Sequence, residues 1–76
     1  MPHKYPRLKS SKIIKGLRQF GFIFKSQKGS HAKYTNQKGK TVIIPMHNEV
    51  SRGTFQSILE QSDITLDEFM KTLNEE

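Results

Sequence analysis

Two glycines, Gly29 and Gly39, divide the middle of this chain into short runs with the composition of β-strands. Residues 22–27 carry aromatic and β-branched side chains and end at the turn signal Lys28-Gly29. Residues 30–35 form the second run, Asn36-Gln37-Lys38-Gly39 supplies the next turn, and residues 40–44 form a third run stopped by Pro45. Connections this short cannot hold a crossover, so the three strands must pair as an antiparallel meander. The two-residue period of a strand then puts His31, Lys33 and Thr35 on one face of the second strand and Ala32 and Tyr34 on the other. The apolar pair marks the side that packs on helices. His31 and Lys33 share the open side.

The flanks supply those helices. Ser10-Ser11 can cap a first helix whose Ile13, Ile14, Leu17 and Phe20 recur at helical spacing, and Gly21 follows where a left-handed terminus needs no β-carbon. Gly16 stands inside that helix at a cost of about 1 kcal/mol relative to alanine, which points to a close neighbour. A second helix is capped by Ser51 or Thr54 and buries Phe55, Ile58, Leu59 and Ser62, with Ser62-Asp63 breaking it. Thr65 and Glu68 have capping-box spacing, and Ile64 with Phe69 fits the accompanying hydrophobic staple, so a last helix presents Leu66, Phe69, Met70 and Leu73. The order is α-β-β-β-α-α, an α+β fold of two layers with helices on one face of the sheet. Residues 1–9 read as an N-terminal tail or irregular lead-in that contains His3, residues 10–73 as a single domain, and residues 74–76 as a C-terminal tail.

With 76 residues, the chain is one small domain with a modest core. It has no cysteine, so it has neither a disulfide nor a thiolate metal site, and a reducing cytosol fits. No apolar run approaches the ~18 residues that span a bilayer, and the start has no signal-peptide pattern. A soluble cytoplasmic protein is therefore the expectation.

Charge is more telling. Of 13 Lys and Arg, 11 precede Asn48 and no acidic residue does; all 7 acidic residues follow. A surface this polarised predicts a polyanion partner, because each neutralised phosphate releases counterions. The plain alternative is a solvated lysine face that keeps the protein soluble.

His31 is the candidate for chemistry. Its setting, Lys28-Gly29-Ser30-His31-Ala32-Lys33-Tyr34, places between fixed cations the side chain whose unperturbed pKa lies nearest neutrality. Ser30 can bond a phosphate oxygen, Gly29 leaves its backbone approachable, and Lys28 and Lys33 can stabilise a phosphorane. RNA brings its own nucleophile in the 2′-OH, so a positioned base and donors on the non-bridging oxygens would suffice, without metal or cofactor. His3, His31 and His47 lack metal-ligand spacing, and no carboxylate lies near His31 in sequence, so two-metal nuclease chemistry lacks its oxygen ligands. A histidine beside a turn is also commonly a surface residue without a role. His47, two residues past Pro45, reads as a loop or partner-contact residue that could reach the side of His31 as an auxiliary acid. Lys12, Lys15 and Arg18 on the first helix are weaker candidates for the RNA backbone.

The ordered motifs resemble the HicA family of small toxins from bacterial type II toxin–antitoxin systems. They are Gly21-Phe22, then Gly29-Ser30-His31 with Tyr34, then Ile43-Ile44-Pro45 with His47, then Gly53-Thr54, then Ile58-Leu59-Glu60-Gln61. The likeness covers all but the two tails. Asp63 departs from it, standing where a glycine is common, and residues 1–9 run longer than the usual start. The resemblance implies a fold like the double-stranded RNA-binding domain and an mRNA interferase, an endoribonuclease with His31 as its catalytic residue. It also implies a HicB-like antitoxin that covers the active site. Two other readings compete: a non-catalytic RNA-binding module, and a regulatory protein whose basic face serves only an acidic partner.

Overall fold

A computed structural model gives the fold and describes residues 5–74, so His3 and residues 75–76 lie outside the described residues. The elements run α1 (Ser10–Gln19), β1 (Ile23–Lys28), β2 (His31–Thr35), β3 (Thr41–Pro45), α2 (Arg52–Ser62) and α3 (Leu66–Asn74). This is the expected order, and the sheet is an open antiparallel meander, β1-β2-β3.

The strand edges differ by one residue from expectation, for local reasons. Phe22 is buried and belongs to the end of α1, so β1 begins at Ile23. Pro45 does not stop β3 but completes it, opposite His31, at the last position of an edge strand where a missing N–H is tolerated. At the β1–β2 turn Gly29 takes φ +58, a region a β-carbon would disfavour.

Alternation sorts the sheet's two faces as the sequence predicted. Ala32, Tyr34, Val42 and Ile44 are buried against the helices. His31 is exposed, with Lys33 and Thr35 half-buried. β1 is exposed along its whole length because α1 and α2 rest on β3. It also carries a bulge between Phe24 and Ser26, a device that discourages edge pairing.

The start of α1 is a correction. Lys9, not Ser10 or Ser11, occupies the cap position, with no side-chain bond. Ser10 is buried inside the helix and its N–H donates to the His47 carbonyl at 3.1 Å. A distant loop thus satisfies a donor that a local rule assigns to a serine hydroxyl. At the other end Gly21, at φ +86, donates to the Arg18 carbonyl while Phe22 donates to that of Leu17. This paired closure satisfies two end carbonyls. α2 ends the same way, with Asp63 at φ 60 donating to Glu60 and Ile64 to Leu59. Ser51 caps its start, accepting from the Thr54 N–H at 3.2 Å.

α3 opens with the expected reciprocal box. The Thr65 N–H donates to Glu68 Oε1 at 3.0 Å, and the Glu68 N–H donates to Thr65 Oγ1 at 3.1 Å. The Thr65 N–H and, less strongly, the Thr65 hydroxyl favour the charged form of Glu68 and hold its carboxyl below the usual range, with Lys71 adding a smaller pull. Gly16 meets its close neighbour here, since a β-carbon at that position would overlap the ring of Phe69 on α3. The lead-in is irregular, yet it is tied down. Leu8 bridges Val50, and Tyr5 stands edge-to-face on Phe55 with centroids 6.0 Å apart.

Candidate active site

β2 starts at His31, so its turn and its strand neighbours fix where the imidazole sits. Lys28 lies directly opposite on β1 and Pro45 directly opposite on β3. Directly opposed residues keep their β-carbons within about 5.5 Å, so the Lys28 ammonium and the His31 ring serve the same patch. The turn between them is braced where Gln27 Nε2 donates to the Gly29 carbonyl at 3.0 Å. One step inward, Lys33 faces Ser26 and Ile43 on the same open side.

The loop after β3 closes the site. Met46 donates its N–H to the Ser30 carbonyl at 2.7 Å, and the His47 carbonyl accepts from Ser10. These two bonds anchor the loop to the β1–β2 turn on one side and to α1 on the other. His47 consequently joins His31 in lining a shallow cleft of about 470 Å³, with Pro45, Glu49, Ser51 and Thr54 among its walls. Both histidines are exposed, open to water and to a ligand.

Glu49 was not anticipated. It enters the cleft from the stretch before α2 and forms an ion pair with Arg7 at 3.8 Å, both side chains mostly exposed. An exposed pair contributes at most about 1 kcal/mol, so Glu49 can exchange partners. Eighteen positions separate it from His31; only the adjacency of the end of β3 to the start of β2 brings them together. Among the described residues no three His, Asp or Glu side chains gather in a way that could hold a metal ion.

Lys12, Lys15 and Arg18 belong to the helical layer. They are exposed on α1, whose buried Ile13 and Leu17 face the core. Lys15 and Arg18 line a separate groove along that helix with Ile14 and Gln19. The structure therefore unites Lys28, Gly29, Ser30, His31, Lys33 and His47 at one end of the open face, and leaves the three α1 cations on the helical layer.

With this geometry in place, the sequence matches the family model of the HicA toxin of bacterial toxin–antitoxin over residues 10–64, well over half of the chain. The chain belongs to the HicA toxin family. Membership makes this HicA-family protein the toxin of a toxin–antitoxin system, and such a system implies an antitoxin partner. A search of curated proteins gives no match. No helix among the described residues is long and apolar enough to cross a membrane.

Proposed function

We propose that this HicA-family toxin is an endoribonuclease that cleaves mRNA without a metal, using His31, and so halts translation in the cytoplasm. One observation carries the reading: an exposed imidazole stands directly across the strand pair from Lys28, in a cleft that His47 also lines. His31 takes the proton of the ribose 2′-OH. The freed oxygen bonds to phosphorus, the bond to the 5′-oxygen breaks, and that oxygen takes a proton from water or from His47. The products are a 2′,3′-cyclic phosphate and a 5′-hydroxyl. Lys28 and Lys33 offset charge on the non-bridging oxygens, with Ser30 and the unshielded Gly29 backbone as further contacts. The α-β-β-β-α order is the one a double-stranded RNA-binding fold uses, and that likeness belongs to the proposal. So does a HicB-like identity for the antitoxin, seated over the open face.

The test compares wild type with His31→Ala for binding and cleavage of the same RNA. Cleavage lost with binding kept is the expected result. Binding without cleavage in both proteins would make the chain an RNA-binding module, and no RNA binding at low salt would leave only a protein partner for the basic face.

A further inference from the structure

Two of the helices finish at the same place. The left-handed closures of α1 at Gly21 and of α2 at Asp63, together with Phe20 and the turn between β2 and β3, line a pocket of about 270 Å³. It lies at the opposite end of the sheet from His31, since β2 pairs with Pro45 at its start and with Thr41 at its end. Sites for drug-sized ligands run roughly 300–1,000 Å³, so this one suits a single small planar group.

Its electrostatics are divided. The pocket forms where the C-terminal ends of two helices meet, and Asp63, exposed at its edge, adds a carboxylate. That carboxylate has no hydrogen-bond or ion-pair partner among the described residues. Lys38 and Lys40, from the turn between β2 and β3, also line it. Asn36 fixes their turn, its Oδ1 accepting from the Lys38 N–H at 3.1 Å and the Lys40 N–H at 2.9 Å. Phe20 packs partly on the core and offers an aromatic wall. A carboxylate accepts hydrogen-bond donors, an aromatic wall takes a planar ring, and lysines take phosphate. An amino-bearing nucleotide has all three parts.

We propose that this pocket reads one amino-bearing base of the RNA, with Asp63 accepting from the exocyclic amine, Phe20 against the ring, and Lys38 and Lys40 on the adjoining phosphates. The proposal rests on the RNA-cleaving reading and extends it to sequence choice. β2 spans about 13 Å between His31 and Thr35, with Lys33 between them, so the base read is displaced from the phosphate cut.

Oligo(C) and oligo(U) of equal length isolate the amine, because cytosine presents a donor where uracil presents an acceptor. Their affinities are measured by fluorescence anisotropy at low salt on the full chain carrying His31→Ala, which prevents cleavage. The expected result is oligo(C) bound at least about fivefold tighter, with the ratio falling to near one when Asp63→Gly is added. Glycine keeps the left-handed closure, so the second variant folds, and a general gain in affinity from removing a negative charge leaves the ratio as the readout. Equal affinities in the parent, or a ratio that Asp63→Gly does not change, overturn the pocket but not the cleavage. Failure to bind either oligonucleotide overturns both.

Discussion

Replacing Gly16 with alanine sets two effects of opposite sign against each other. Helix propensity favours alanine by about 1 kcal/mol in a helix interior. Packing opposes it. A β-carbon at Gly16 would stand 2.5 Å from Phe69 Cζ and 3.1 Å from Thr72 Oγ1, far inside the ~3.5–4.0 Å optimum for carbon pairs. The ring cannot swing away freely, because Phe69 is fully buried and stands edge-to-face on Phe55 with centroids 5.1 Å apart. Thr72 is also tethered, its hydroxyl donating to the Phe69 carbonyl at 2.6 Å. Overpacking of a fixed core costs about 1–3 kcal/mol, and so close an approach to a pinned ring falls in the upper half of that range, about 2–3 kcal/mol. With the ring pinned, packing wins and Gly16→Ala destabilises by about 1–2 kcal/mol net. For a domain of this size that lowers Tm by roughly 5–15 °C. Thermal and urea unfolding followed by circular dichroism read the change, with the urea midpoint moving at constant slope. In a Phe69→Leu background the same substitution loses its clash and turns stabilising, which a double-mutant cycle detects. A Gly16→Ala protein as stable as its parent would refute the reasoning that α1 and α3 meet through this glycine.

Other outcomes follow from single features. Asp63→Gly relieves a left-handed non-glycine residue and is expected to raise stability by up to about 1 kcal/mol, seen as a higher Tm. Glu68→Gln keeps an acceptor for the Thr65 N–H but removes the charge. Because the folded carboxyl is held below its ordinary value of 4.5, its contribution is full above that pH and fades as pH falls through the lowered value. The Tm gap between wild type and Glu68→Gln should therefore be largest at neutral pH and close in acid. Lys28→Ala is expected to weaken RNA binding at every sequence and to reduce the salt slope by about one, measured by titration over a range of salt. Lys15→Ala, on the helical layer, should leave cleavage at low substrate concentration nearly unchanged in a kinetic assay.

What could be read from the sequence were features whose cause is local. Gly29 and Gly39 fixed the meander, two-residue alternation put His31 and Lys33 on the open face, and the Thr65–Glu68 spacing located the start of α3. What could not be read arises from contacts distant in sequence. The helix-cap preference pointed to Ser10-Ser11, but the His47 carbonyl already satisfies the Ser10 donor, so Lys9 serves without a side-chain bond. Glu49, which no local pattern tied to His31, reaches the cleft because Met46 bonds to Ser30 across the sheet end, the same contact that holds His47 on the side the sequence allowed it. The pocket at Asp63 exists because two helix ends meet, which no single helix pattern encodes. The separate groove of Lys15 and Arg18 is likewise a matter of layers rather than of spacing.

The chemistry of the new RNA 3′ ends, left by the purified chain in excess EDTA, tests the role of His31 most directly. A 2′,3′-cyclic phosphate or the 3′-phosphate derived from it, absent with His31→Ala, is the expected result. A 3′-hydroxyl with a 5′-phosphate across the cut, a strict need for magnesium, or undiminished cleavage by His31→Ala would contradict it.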